Sequence, residues 1–146
     1  MATVKLWTDE EVAGSARVGA VFDDIRATRQ TDFVNNMWRA LANRPDVLER
    51  TWAQVKAVMV APGALDPLTR ELIYIAVSTA NGCGYCVHSH TAAATAKGMT
   101  PVQHGELLAI VGLASQTNAL ATALQLPVDV EFLSQEPAAK ITQTGS

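Results

Sequence analysis

The chain has 146 residues, a length that predicts a single domain over residues 1–146 with a hydrophobic core of its own. Its net charge of −3 excludes the basic field by which proteins usually bind nucleic acids or anionic membrane surfaces. No apolar run approaches the roughly 20 residues that a membrane-spanning helix needs, and the N-terminus lacks the apolar segment of a signal peptide. We therefore expect a cytoplasmic protein with no nucleic-acid or membrane partner.

Helix signals recur along the N-terminal half of the chain. Thr8 and Glu11 match a capping box, which predicts a helix that continues to about Arg29. Apolar residues at helical spacing predict a short helix over residues 33–41 and a third helix over residues 47–61. An Asn-Arg-Pro-Asp stretch separates these two helices.

Helix-cap residues delimit a central pair of helices. Asp66 and Pro67 suit the N-cap and the first helical position, and Gly82 is a natural residue to end the first helix. The second helix is expected to begin at Cys83 or the next residue and to end at Gly98.

The C-terminal part begins with another helix start at Thr100 and Pro101. Two glycines weaken the pattern of this long helix, so we expect a bend or break near Gly112, and Pro127 is expected to end it. The remainder, from about residue 128 to residue 146, is expected to form a tail. The whole pattern predicts an all-α fold, a compact bundle of six or seven helices.

Two compositional features predict self-association. The second central helix is rich in alanine, which permits close helix approach, and three tryptophans are many for one small core. Packing of all three tryptophans in a single core is the alternative. The residues concerned are Ala92, Ala93, Ala94, Ala96, Trp7, Trp38 and Trp52.

The residues able to do chemistry are concentrated in a core motif over residues 66–99. The two cysteines of the chain, Cys83 and Cys86, lie three residues apart, and His90 follows four residues after the second. Helical spacing places Cys86 and His90 on one face, whereas His88 points nearly the other way. Glu71 falls within the apolar stripe of the first central helix, where a carboxylate needs either a partner or a raised pKa.

A thiol pair, an imidazole and a buried carboxylate together permit thiol redox chemistry. The thiolate is the reactive form of cysteine, and His90 can act as the base toward Cys86, with Glu71 orienting the imidazole ring. A thiolate that attacks a peroxide becomes a sulfenic acid, which a neighbouring thiol condenses into a disulfide. The helix dipole favours Cys83 as the nucleophile and the proximity of His90 favours Cys86; we favour Cys86.

The motif Glu71-x11-Cys83-x-x-Cys86-x3-His90 resembles that of the AhpD-like alkylhydroperoxidases, within the carboxymuconolactone decarboxylase superfamily. The resemblance extends over about residues 44–123. It implies an all-helical trimer or hexamer in which Cys86 is the peroxidatic thiol, Cys83 the resolving thiol, and Glu71 with His90 the proton relay. It also implies a hydroperoxide substrate and a thiol reductant, either a dihydrolipoyl group or a peroxiredoxin-type protein.

One position departs from that family pattern. Its best-known members place a second histidine directly before the second cysteine, where this chain has Tyr85. The phenol of Tyr85 can hydrogen-bond a substrate or relay water, but it cannot act as a base near neutral pH. We therefore treat Tyr85 as an accessory residue only. His88 is the other accessory candidate, with a surface or interface position as its ordinary interpretation.

Other functions are compatible with the same residues. A cofactor-free decarboxylase or lactone-processing enzyme would use His90 and Glu71 for acid–base work, and a non-enzymatic redox sensor would use the cysteines to alter its assembly. A zinc site would combine the cysteines with His90 and either Glu71 or His88.

No nucleotide fingerprint, haem motif or phosphate loop occurs, so no cofactor is expected. His104 is interpreted as a solvated neutral ring, and Asn118 faces either the active site or an interface.

Overall fold

The structure, a computed structural model, describes residues 1–133. Within that range the chain forms eight α-helices and one π-helical turn, and no strand, which confirms the all-α prediction. The number exceeds the predicted six or seven because the first predicted helix is divided and a short helix occurs near residue 130. The helices are α1 (Asp9–Ala13), α2 (Ala16–Arg29), α3 (Asn36–Leu41), α4 (Pro45–Val55), α5 (Pro67–Ala80), α6 (Gly84–Ala96), α7 (Pro101–Ala123) and α8 (Val130–Leu133). Most of the predicted tail lies outside the described residues.

The chain divides into two compact units, residues 1–70 and residues 71 onward. The first unit contains a core of buried apolar residues from α1 to α4, centred on Phe22, Trp38 and Trp52. The rings of Trp38 and Trp52 meet edge to face with centroids 5.4 Å apart, a favourable geometry for aromatic pairs. Trp7 packs against the same core. All three tryptophans are therefore accommodated, and they do not by themselves require a partner chain.

The first predicted helix, from Thr8 to Arg29, is in fact two helices. The capping box is confirmed, since the backbone N–H of Glu11 donates to the Thr8 hydroxyl and the Glu11 carboxylate accepts from Thr8 N–H. The helix then ends at Ala13, and Ser15 caps α2 by accepting a hydrogen bond from the backbone N–H of Val18 at 3.4 Å. Serine competes well for backbone groups in this way, which favours the restart.

The next two helices agree with prediction apart from one boundary. The helix α3 begins at Asn36, so Phe33 lies before it and is 70% exposed. The third predicted helix is confirmed as α4, which starts at Pro45 and continues as a π-helical turn over Lys56–Val60. The side chain of Arg70 donates hydrogen bonds to the carbonyl groups of this turn and of the following loop, which fixes the approach to α5.

The residues predicted to start and end the two central helices, α5 and α6, are confirmed in those roles. Asp66 accepts a hydrogen bond from the backbone N–H of Thr69 at 3.0 Å, which satisfies one free donor at the start of α5. Gly82 and Gly98 have φ angles of 69° and 91°, the left-handed conformation that glycine adopts without steric cost. These glycines therefore set where α5 and α6 end.

The helix α7 runs unbroken from Pro101 to Ala123, so the break that was one of the two possibilities near Gly112 does not occur. A glycine inside a helix costs only about 1 kcal/mol relative to alanine, which the surrounding helical hydrogen bonds outweigh. The helix ends before Pro127 because Gln125 adopts a left-handed conformation with φ of 49°.

The apolar side chains of α7 are largely exposed to solvent, and none of its residues is buried. Ile110, Leu113, Leu120 and Leu124 recur at helical spacing along one side of the helix, and Leu113 is 62% exposed. We call these four residues the α7 stripe. No helix within residues 1–133 combines the length and the apolar character needed to cross a membrane. An exposed apolar stripe of this extent is typical of a protein–protein contact surface.

Candidate active site

The two cysteines are joined by a disulfide bond at the start of α6. Cys83 is the N-cap of this helix, and its sulfur accepts a hydrogen bond from the backbone N–H of Cys86 at 3.3 Å. The Cα atoms of Cys83 and Cys86 are 5.3 Å apart, within the usual range for a disulfide. Both residues are half-buried. The CxxC spacing therefore brings the two sulfurs into reach of each other without any longer-range contact.

Glu71 is the buried carboxylate that the sequence pattern singled out. It lies on α5 and is 5% exposed. One carboxylate oxygen, Oε2, lies 2.7 Å from Nδ1 of His90, and the other, Oε1, accepts a hydrogen bond from Nζ of Lys97 at 2.8 Å. Both oxygens are thus satisfied, as a buried charge requires.

The balance of these interactions determines the ionisation of Glu71. Burial raises the pKa of this carboxyl group, but the hydrogen bonds from His90 and Lys97, with the positive charge of Lys97, outweigh burial and bring the pKa below its ordinary value. The sequence left two possibilities for this buried carboxylate, a bonding partner or a raised pKa. The partner is confirmed, and the raised pKa is wrong. Glu71 is a carboxylate at neutral pH.

The imidazole of His90 is held on two sides. An ionised carboxylate only accepts hydrogen bonds, so Nδ1 of His90 carries a hydrogen toward Glu71 and the lone pair of the neutral ring is on Nε2. The Tyr74 ring stacks on the His90 ring with centroids 3.6 Å apart and planes 19° from parallel. Cys86 precedes His90 by one helical turn on α6. A ring fixed in this tautomer can accept a proton through Nε2.

Sequence reasoning missed two members of this cluster, Lys97 and Tyr74. Each has a spacing that pointed to it: Tyr74 lies three residues after Glu71 on α5, and Lys97 lies seven residues after His90, two turns along the same side of α6. Each of them therefore shares a helix side with one of the two predicted relay residues.

The remaining candidates are two accessory residues of α6 and two residues of α7. Tyr85 is 46% exposed, and His88 is exposed on α6. His104 is half-buried in the first turn of α7, and Asn118 is exposed on the same helix. The hydrogen bonds of Glu71 go to His90 and Lys97 and involve none of these four residues. Within residues 1–133, no three His, Cys, Asp or Glu side chains converge so that they could hold a metal ion.

Comparison with known proteins defines the class to which this fold and this cluster belong. The family model of the carboxymuconolactone decarboxylase family matches residues 45–129, and the chain belongs to that family. Within it, the chain is AhpD-like. A crystal structure of an alkylhydroperoxidase AhpD core from Rhodospirillum rubrum is 70% identical, with a TM-score of 0.91 over 92% of this chain and 99% of that one.

Two curated relatives, both named alkyl hydroperoxide reductase AhpD, match more distantly. The protein of Solibacter usitatus is 36% identical over 77 residues, which is 53% of this chain and 42% of that protein. The protein of Maricaulis maris is 36% identical over 72 residues, 49% of this chain and 40% of that protein. The chain thus spans about two fifths of the length of the curated relatives it matches.

Proposed function

We propose that this protein is a thiol-dependent alkyl hydroperoxide reductase. The observation that carries the proposal is the Cys83–Cys86 disulfide, formed at a helix start one turn before a histidine that a buried carboxylate orients. The names of the AhpD relatives support the same chemistry. The hydroperoxide is the oxidant in this proposal, and a thiol reductant reopens the disulfide.

The first step consumes the peroxide. Nε2 of His90 accepts the proton of the Cys86 thiol, and the resulting thiolate attacks one oxygen of the hydroperoxide. The S–O bond forms as the O–O bond breaks, so the sulfur is oxidised to a sulfenic acid and the leaving alkoxide takes up a proton to become the alcohol. The imidazolium of His90, stabilised by Glu71, is the nearby acid that can supply that proton.

The second step closes the disulfide. The sulfur of Cys83 attacks the sulfur of the Cys86 sulfenic acid, the S–S bond forms, and hydroxide leaves and is protonated to water. In sum, two thiols and one hydroperoxide give one disulfide, one alcohol and one water. The hydrogen bond from the Cys86 N–H to Cys83 stabilises negative charge on the Cys83 sulfur, which suits its role as the resolving thiol.

Single-cysteine variants test the assignment of the two sulfurs. In Cys83→Ser the sulfenic acid on Cys86 cannot condense, so a dimedone adduct on Cys86 should accumulate after one equivalent of tert-butyl hydroperoxide. In Cys86→Ser no adduct should form on Cys83 at a comparable rate. An adduct that forms on Cys83 in Cys86→Ser but not on Cys86 in Cys83→Ser would reverse the two roles, and no adduct in either variant would contradict the reductase function.

A second candidate function follows from the family itself. A carboxymuconolactone decarboxylase-like reaction would use Glu71 and His90 as acid and base, with no part for the thiols. The Cys86→Ser variant separates the two proposals, because it abolishes peroxide reduction and spares a decarboxylation. Turnover of a lactone substrate by Cys86→Ser at the wild-type rate would favour this second function.

We further propose that the protein works as a homo-oligomer, a trimer or hexamer, with the α7 stripe in the contact between copies. The support is the exposure of that stripe, whose apolar side chains would otherwise face water. The thiol reductant in this proposal is a dihydrolipoyl group or a peroxiredoxin-type protein, in a cytoplasmic setting. The rate at which dihydrolipoamide reduces the Cys83–Cys86 disulfide of the purified protein, compared with the rate for a peroxiredoxin dithiol, distinguishes the two reductants.

A further inference from the structure

Lys97 contacts the candidate relay although the proposed steps make no use of it. It is the C-cap residue of α6, and its Nζ donates to Oε1 of Glu71 at 2.8 Å across 26 residues of sequence. The Glu71 side chain is 7% exposed, whereas that of Lys97 is 36% exposed. Lys97 therefore extends from the surface to a carboxylate that water barely reaches.

The charges around Glu71 indicate what the contact between Lys97 and Glu71 does. The ionised carboxylate carries one negative charge, and its two partners are Lys97 and His90. With Lys97 protonated, the buried charge is already balanced, so His90 can stay neutral. Without Lys97, the balancing positive charge has to come from a proton bound by the Glu71–His90 pair itself.

The other titratable groups around the pair do not supply that charge. Tyr74 of α5 contributes an aromatic ring that stacks on His90 and has no cationic form, and Cys86 of α6 contributes either a disulfide or, when reduced, a thiol or an anionic thiolate. A thiolate on Cys86 adds negative charge and increases the need for a cation. Lys97 is the cation that contacts Glu71 directly.

We propose that Lys97 is a positioning residue whose ammonium group balances Glu71 and so leaves His90 neutral, with Nε2 free to accept the Cys86 proton. This inference rests on the proposed function for its role in catalysis. Its electrostatic part concerns only Glu71, His90 and Lys97, and that part can be tested whether or not the protein reduces peroxides.

The competing explanation is that Lys97 merely joins the end of α6 to α5. A lysine at a helix C-terminus is favourable in any case, because it lies at the negative end of the helix dipole. A structural tie of this kind would affect stability without altering the protons bound by His90. The test therefore has to follow the imidazole itself.

The experiment follows the His90 imidazole of the reduced protein, residues 1–146, by ¹⁵N NMR across pH, with its signals assigned by their loss in His90→Gln. Lys97→Met removes the charge and keeps the side-chain length, whereas Lys97→Arg keeps the charge. Lys56→Met is the matched control, because Lys56 forms an ion pair with Asp24 in the first unit. In Lys97→Met the Glu71–His90 pair should release its proton at a pH that is higher than in wild type by about one unit or more.

The expected pattern is a shift in Lys97→Met alone. A Lys97→Met titration identical to wild type would overturn the inference, and so would an equal shift in Lys97→Arg, since the charge would then not be responsible. Thermal unfolding of each variant checks that it is folded. If Lys97→Met does not fold, Lys97→Gln takes its place with the same expected shift.

Activity supplies an independent readout. The rate of peroxide reduction by Lys97→Met should fall near neutral pH and recover at higher pH, because the base becomes available only there. If the wild-type protein reduces no peroxide but Lys97→Met still shifts the imidazole titration, the proposed function fails and the charge-balancing role stands. If the wild type is active and the titration does not move, only the inference about Lys97 fails.

Discussion

The ring of Tyr74 lies flat on the imidazole of His90, with centroids 3.6 Å apart. The two residues come from different helices, α5 and α6, and Tyr74 is one turn from Glu71, which bonds the same imidazole at its edge. One face of the ring is thus covered by an aromatic group while its Nδ1 is tied to a carboxylate. This arrangement restricts the direction in which Nε2 can point.

We expect the stacked ring of Tyr74, and not its hydroxyl group, to matter for the reaction. Tyr74→Phe keeps the stack and should retain the wild-type rate of peroxide reduction. Tyr74→Leu removes the aromatic face, a contact worth about 0.5–1.5 kcal/mol, and should lower the rate by up to about tenfold. Steady-state kinetics of the two variants provide the measurement, and equal rates for Phe and Leu would show that the stack is incidental.

The two histidines of α6 provide a matched pair for testing the base. His90 bonds Glu71, whereas His88 is exposed two residues away on the same helix. His90→Gln should lower the rate of peroxide reduction by about 10²–10⁴, the usual contribution of a general base, and His88→Gln should leave it unchanged. The pH dependence of thiol alkylation by iodoacetamide should change in the first variant alone. Equal losses in both variants would contradict the proposed role of His90.

The lowered pKa of Glu71 predicts a pH-dependent contribution to stability. The folded protein binds the proton of Glu71 more weakly than the unfolded chain does, because in the unfolded chain this carboxyl group has its ordinary pKa of 4.5. The ionised group therefore stabilises the fold above that pH, and this contribution is lost as the pH falls through the lower, folded-state pKa.

Glu71→Gln isolates this contribution. The variant should be less stable than wild type by about 1–3 kcal/mol at pH 7, because it loses charge-assisted hydrogen bonds. The difference in the free energy of unfolding, measured by urea denaturation, should shrink as the pH is lowered below 4.5. A difference that stays constant down to the lowest pH at which both proteins fold would contradict the lowered pKa.

The α7 stripe gives a test of self-association. Leu113→Glu places a charge in the middle of the stripe and should convert the protein to smaller species, as measured by light scattering after size-exclusion chromatography. Thr122→Glu is the control, since helical spacing puts residue 122 on the side of α7 opposite the stripe. A wild-type protein that is monomeric at high concentration, or identical assembly of the two variants, would contradict the proposed interface.

Local sequence signals predicted the central helices well. Asp66, Gly82 and Gly98 act through their own backbone preferences, which depend little on the rest of the chain. Ser15 was missed because apolar spacing continues through it, although its hydroxyl was available as a cap. No break occurs at Gly112, because a single glycine inside a long helix costs too little free energy to interrupt it.

The site was only partly predictable for a similar reason. The relation between Cys86 and His90 is contained in one helix, so their spacing was sufficient to place them. The contacts of Glu71 with His90 and Lys97 join two helices across 19 and 26 residues of sequence. The contact with His90 was expected as the pairing of a base with its orienting carboxylate, whereas a buried carboxylate does not by itself indicate Lys97 as a second partner. Which cation satisfies it depends on how α5 and α6 pack.

The central claim is that Cys83 and Cys86 reduce a hydroperoxide by forming a disulfide. Its most direct test is a count of free thiols with intact mass, on the fully reduced protein before and after one equivalent of tert-butyl hydroperoxide. We predict that both thiols disappear with a mass decrease of about 2 Da, and that the alcohol forms in equal amount. Two thiols that remain after the peroxide treatment, with the mass unchanged, would contradict the claim.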